Sequence, residues 1–164
     1  MTEPNTFWIV VASSFALMAI FAIFWFVTFR VRRRWENHRA ETVGQWAAAG
    51  VKFLRGPAGG QFGGLESVSV TRTIRGIGFV ALTDKDLRVT RSMPPATWII
   101  TYKQIKGVMM QQSFMGKLSN KNPFIVVRFT QDGVMDKLGF LVNDTEAWAK
   151  QLAKLAGVTM KDER

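Results

Sequence analysis

The sequence predicts one N-terminal transmembrane α-helix followed by an α+β domain. In that domain about seven antiparallel strands form a curled barrel or sandwich, capped by a C-terminal amphipathic helix. Three observations carry this expectation. An almost unbroken apolar run fills Phe7 to Phe29. From Leu65 onward the apolar period shortens from helical to strand-like, with turn signals between the runs. Near the end, Trp148, Leu152 and Leu155 fall at i, i+4 and i+7, one face of a helix.

The apolar run is 23 residues long. At about 1.5 Å per residue it reaches roughly 34 Å, enough to cross a hydrocarbon core of about 30 Å. Its only polar members are Ser13, Ser14 and Thr28, whose hydroxyls can bond back to helix carbonyls. Nothing in the span requires a charged partner or an aqueous path. A cleaved signal peptide needs a basic n-region, a shorter apolar core and a small-residue cleavage site, and none of the three is present. Ala12, Ala16 and Ala19 share a helix face at spacings that let a second helix approach closely.

All 22 Lys and Arg residues lie from Arg30 onward. Arg30, Arg32, Arg33, Arg34 and Arg39 crowd one end of the span, and no base flanks the other. The positive-inside bias therefore expects residues 1–6 outside and the bulk of the chain in the cytoplasm, at a plasma or inner membrane. The same arginines are candidates for anionic lipid headgroups, at roughly 1 kcal/mol each near a charged surface. Val31, Trp35, His38, Thr42 and Trp46 keep a helical rhythm, so a basic juxtamembrane helix is expected over residues 30–49.

Residues 50–64 are expected to form a linker or mobile loop, because GPAGGQFGG from Gly56 to Gly64 holds five glycines and a proline. Phe62 within it has two readings, dipping into lipid or covering the core edge. No P-loop spacing and no GxGxxG between strand and helix is present, which argues against a phosphate cradle. Strands are expected at Leu65–Thr71, Ile77–Leu82, Leu87–Thr90, Trp98–Tyr102, Gly107–Gln112, Phe124–Thr130 and Lys137–Val142. Asn143 with Glu146 reads as a capping-box start and Gly157 as a stop. Trp148, Leu152 and Leu155 are the expected anchor of that helix, and residues 158–164 read as a polar, frayed tail.

The chain has no cysteine and one histidine, His38, which excludes disulfides, thiolate metal sites and a cysteine nucleophile. No metal and no cofactor is expected. Asp84, Asp86, Asp132 and Asp136 fall in predicted turns, where carboxylates commonly cap backbone amides. No catalytic residue is expected. The bases are scattered and no nucleic-acid motif is present, so nucleic acid is not an expected partner.

From about Val51 to Leu155 the sequence resembles the pleckstrin-homology superfold in its GRAM-like and bacterial forms. The resemblance rests on GxGxxxLTDxxL from Gly76 to Leu87, on Trp98-Ile99-Ile100 with TyrxxIlexxVal from Tyr102 to Val108, on the strand and turn from Phe124 to Asp132, and on a helix carrying Trp148. It implies a binding or scaffolding module without chemistry of its own. Phosphoinositide-binding members place a basic cluster in the first hairpin. The corresponding stretch here supplies Arg72 and Arg75, fewer bases than such pockets carry, and Lys117 and Lys121 supply a second basic loop.

The expected function is a membrane-tethered module presenting a basic cytoplasmic surface to a protein partner or to anionic lipid. From Val51 to Leu155, 15 bases against 7 acids leave a charge of +8. The alternative is a non-catalytic accessory subunit of a larger membrane complex, with its helix packed on other spans and its domain capping the cytoplasmic face.

Overall fold

The computed structural model describes residues 4–67, 75–92 and 94–163. Arg72 and most of the strand expected at Leu65–Thr71 lie outside the described residues. The chain divides into two compact units, Met1–Thr42 and Val43–Arg164.

The first unit is helical. Helix α1 (Pro4–Ala48) runs for 45 residues and ends inside the second unit. It is long and apolar enough to cross a membrane. Phe15, Leu17, Phe21 and Trp25 are each at least 65% exposed, so no protein surface covers the apolar helix. Water is a poor solvent for such a surface and hydrocarbon a good one. The span's hydroxyls are satisfied internally: Ser13 and Ser14 donate to the Val10 carbonyl, and Thr28 to Phe24 and Trp25, all at 2.9 Å.

The second unit begins with the last turn of α1, closed by Gly50 in the left-handed region at φ 74°. The amide of Gly50 bonds the Ala47 carbonyl and that of Val51 bonds Trp46, a Schellman closure. The strands are β1 (Phe53–Glu66), β2 (Gly76–Thr83), β3 (Asp86–Ser92), β4 (Pro95–Thr101), β5 (Ile105–Gln111), β6 (Ser113–Phe114), β7 (Lys117–Leu118), β8 (Phe124–Gln131), β9 (Val134–Val142) and β10 (Met160–Glu163). Helix α2 (Thr145–Ala156) lies between β9 and β10. Eight strands make one sheet in the order β10-β5-β8-β9-β1-β2-β3-β4, while β6 and β7 form a separate hairpin. Every pairing in the large sheet is antiparallel except β10 with β5.

This architecture corrects the sequence reading in four places. The large sheet has eight strands and is open, with β4 and β10 at its edges, where about seven strands in a curled barrel or sandwich were expected. The expected glycine linker is β1, an interior strand between β9 and β2. Its glycines mark close approaches: a Cβ on Gly60 would stand 2.4 Å from the Leu141 carbonyl oxygen, and one on Gly63 2.9 Å from the Phe124 ring. The expected frayed tail supplies β10, and Gln111 donates to Glu163 at 2.6 Å along that edge. The capping box does not form. Asp144 precedes α2 in the left-handed region without a side-chain cap bond, and its carboxylate takes Arg55 at 2.7 Å instead.

Alternation along the strands explains their nearly continuous apolar sequences. Val80, Leu82, Val108, Ile125 and Val127 face a core closed by Trp148, Ala149 and Leu152 of α2. Leu155 is half-buried on the same helix. The intervening residues face the other side, where Phe79 and Ala81 lie under Trp46 while Phe124, Val126 and Met109 lie under Phe114. Both faces of the sheet are thus covered in part, as continuous apolar runs require. Phe62 is core, 3% exposed and stacked on Trp98 at 4.7 Å between ring centroids.

Candidate functional site

Two constellations on the second unit are built from polar side chains. One is buried and the other is open to solvent.

The buried one is the turn between β2 and β3, where the sequence reads Leu82-Thr83-Asp84-Lys85-Asp86-Leu87. The Thr83 hydroxyl accepts the amides of Lys85 at 3.1 Å and Asp86 at 2.9 Å, and lies 2.8 Å from Asp86 Oδ1. This fixes the turn and aims the Asp86 carboxylate at Arg88, whose Nε and second terminal nitrogen donate to its two oxygens at 2.8 and 3.2 Å. The two side chains are only 9% and 14% exposed. The guanidinium lies 5.1 Å from the Trp46 ring centroid, and that indole packs on Phe79 at 5.7 Å and Phe53 at 6.3 Å. Tyr102 closes the group by donating to the Thr83 carbonyl at 2.5 Å. Burial and then the charge of Asp86, with a smaller push from Asp84, raise its phenol to about 12. The hydrogen bonds order the β2–β3 turn and the Asp86–Arg88 pair, and the Arg88 guanidinium then rests against Trp46 in the last turn of α1. The arrangement is a structural clasp.

The open constellation joins three of the basic candidates' loops. Arg75, just before β2, donates to the Met115 carbonyl in the turn between β6 and β7. Lys117 on β7 donates to Gln61 Oε1 of β1 at 2.6 Å. Arg75 and Lys117, 42 residues apart in the chain, are therefore brought to one corner of the sheet. Both take neutral partners, and among the described residues no carboxylate pairs with either. Lys121 is exposed on the turn that follows β7. Exposed Leu118 and Ile77 lie on β7 and β2 beside these bases; Ile77 pairs with Gln61 in the β1–β2 ladder. The sequence reading named the bases but gave no role at this corner to Leu118, an apolar residue beside a lysine in a turn, or to Ile77, which it placed only in a strand.

The remaining candidates lie on α1. Arg30, Arg32, Arg33 and Arg34 are exposed, with Arg32 held to Glu36 at 3.0 Å and the Arg30 guanidinium 4.8 Å from the Phe26 ring centroid. Arg39 lies 5.8 Å from that of Trp35. Ala12, Ala16 and Ala19 are exposed along the span. Among the described residues no group of three or more His, Asp or Glu could hold a metal ion. The four acids divide: Asp84 and Asp132 occupy turns, Asp86 opens β3, and Asp136 lies inside β9 opposite Phe129, correcting the expectation of a turn. Arg91 was not singled out by sequence. It is 5% exposed, donates to the Pro94 carbonyl at 2.8 Å and lies 5.7 Å from the Trp98 ring centroid.

Fold and surfaces define a long apolar helix joined to a sheet domain with one clasped turn and one basic corner. No protein-family model and no curated protein matches the chain. Among solved structures, it is similar to the C-terminal domain of an unknown protein from Leishmania infantum, with 18% identity and a TM-score of 0.42 over 67% of this chain and 88% of that one. It is also similar to Vav1 inhibited by an allosteric inhibitor, with 16% identity and a TM-score of 0.39 over 63% of this chain and 27% of that one. A third similarity is to a Streptomyces coelicolor structure concerning SsgB mutations that correlate with longitudinal cell division, with 9% identity and a TM-score of 0.31 over 59% and 84%. The chain spans about a quarter of the Vav1 chain.

Proposed function

We propose that this chain is a single-pass membrane-anchored binding or scaffolding module of pleckstrin-homology type, its N-terminus outside and its sheet domain in the cytoplasm. The supporting observation is the junction at Phe29 and Arg30. On one side stands an apolar helix that no protein covers, and on the other lie all the bases of the chain. The domain presents Arg75, Lys117 and Lys121 as an uncompensated basic corner to anionic lipid headgroups or an acidic protein surface. We assign it no reaction of its own: its buried polar cluster is engaged within the β2–β3 turn and against Trp46.

The test is topological. A reporter fused after Arg164 is expected to be active only in the cytoplasm, and activity on the opposite side of the membrane rejects the reading. A second reading, an accessory subunit of a larger membrane complex, is favoured by the uncovered span with its Ala12, Ala16 and Ala19 face. Mild detergent extraction separates the two: a stoichiometric complex supports the subunit, and an isolated chain that binds anionic vesicles salt-sensitively supports the module.

A further inference from the structure

The β6–β7 hairpin is too small to be stable by itself, since two residues per strand bury almost nothing. Three contacts hold it. Phe114 is 5% exposed and packs against Phe124 at 6.3 Å between ring centroids. Its ring lies where a Cβ on Gly139 would be, 2.2 Å away, so that glycine leaves the seat. Arg75 holds the turn through the Met115 carbonyl, and Lys117 reaches down to Gln61. Met115 and Gly116 make the reversal in the left-handed region at φ 50° and 73°.

Cross-strand pairing decides where the other side chains go. Phe114 pairs with Lys117, and both face the sheet; Ser113 pairs with Leu118, and both face away. Leu118 is consequently 68% exposed on the outward face of a braced hairpin, and Ile77 beside Gln61 is 62% exposed. A single exposed leucine needs no explanation. A leucine fixed outward on a hairpin clamped by two bases, with Lys121 three residues on and no carboxylate paired to any of the three among the described residues, has the composition of a surface that meets an anionic bilayer.

We infer that the β6–β7 hairpin is a membrane-inserting element: Leu118 enters the acyl boundary of an anionic leaflet, Ile77 flanks it, and Arg75, Lys117 and Lys121 meet the lipid phosphates. This rests on the proposed placement of the domain at the cytoplasmic face. The occupant is lipid because the patch pairs exposed aliphatic side chains with positive charge. Its bases attract the leaflet over about a Debye length, roughly 8 Å at physiological salt, and the aliphatic tips then add the salt-independent part of binding.

The chain has no cysteine, so single cysteines report one site each. The full chain is reconstituted in phosphatidylcholine vesicles with or without phosphatidylserine, carrying an environment-sensitive dye at exposed Asn120→Cys, two residues past the hairpin's second strand. A second preparation carries it at Leu54→Cys, 47% exposed on β1. With phosphatidylserine present, the hairpin dye is expected to shift to the blue and to be quenched by lipids bearing a nitroxide high in the acyl chain. The Leu54 dye is expected to do neither. Leu118→Ser is expected to lower the ratio of inserted to free hairpin about tenfold, the worth of one buried leucine, while melting is unchanged. Energy transfer from the Leu54 dye to headgroup-labelled lipid reports separately whether the domain approaches the leaflet. Salt-sensitive transfer with an unquenched hairpin dye overturns insertion and leaves the basic-surface reading standing. Absence of both overturns the basic-surface reading and the insertion with it. Quenching that Leu118→Ser leaves unchanged overturns the role of Leu118.

Discussion

Asp86 and Arg88 are two residues apart on one strand, yet their ion pair is among the most buried polar contacts described, because the Thr83 turn aims the carboxylate and Trp46 covers the guanidinium. Removing one partner of such a pair leaves a charge without compensation. Arg88→Met is therefore expected to destabilise the domain by about 3 kcal/mol in thermal or urea unfolding, and a loss below about 1 kcal/mol would place the pair with ordinary surface bridges. Tyr102 offers a second measurement, since it is the only tyrosine in the chain. Ultraviolet titration should find one phenol transition near 12 instead of the ordinary 10. The raised folded-state value fixes the sign of the linkage: its stability contribution is complete below pH 10 and is lost as pH rises through about 12. Sequence alone made the Leu-Thr-Asp turn legible as a pattern. It did not disclose the clasp, because Trp46 comes from a different element and nothing in its spacing names Arg88 as its cover.

At the scale of elements, the glycine-rich stretch is the instructive error. Composition reports that residues 56–64 lack side chains to hold a strand together, and a linker is the ordinary consequence. In the sheet that lack is what the position needs: the Leu141 carbonyl oxygen and the Phe124 ring stand where Cβ atoms on Gly60 and Gly63 would go. Gly60→Val is expected to abolish cooperative unfolding or to lower the melting temperature by many degrees, whereas the same change at Gly133, a turn position with nothing within 4 Å, disturbs only its positive φ of 78°. Melting curves of the two variants side by side distinguish a packing requirement from a general intolerance of bulk. The helix boundary has a similar lesson. Residues 30–49 read as a juxtamembrane element, and α1 does continue unbroken, but its final turn is part of the sheet unit through Trp46. Trp46→Ala should cost about 3–5 kcal/mol, as for other buried tryptophans. Helix α2 was legible from its Trp148 and Leu152 spacing. Its start was not: the helix begins at Thr145 after a left-handed Asp144, one residue beyond the expected Asn143 cap, and the Asp144 carboxylate is held by Arg55 from far away in the chain.

The two units of the molecule treat their apolar residues in opposite ways. Its first unit exposes Phe15, Leu17, Phe21 and Trp25 with no core to receive them, and its second buries both faces of a sheet around its own apolar residues. Hydrocarbon length and one-sided charge made the first legible directly, since a span depends on no long-range contact. The open sheet, its parallel β10 edge and the hairpin over Gly139 depend on contacts distant in sequence, so only the broad order of strands and helix could be read. The division has a direct experimental consequence. A fragment beginning at Val51 discards Trp46 and Val43, and with them much of the cover over Phe79 and Ala81. A fragment beginning at Val43 retains the last helical turn, its Gly50 closure and the Arg88 clasp while omitting the apolar span. The Val43–Arg164 fragment is expected to stay in the aqueous phase, give a β-dominated circular dichroism spectrum and melt cooperatively. The Val51–Arg164 fragment should melt earlier by at least as much as Trp46→Ala in the longer one, because it loses Trp46 together with Val43 and the Gly50 closure. Equal melting of the two fragments would show that the helical turn adds nothing to the domain, and a mainly helical spectrum from either would reject the sheet.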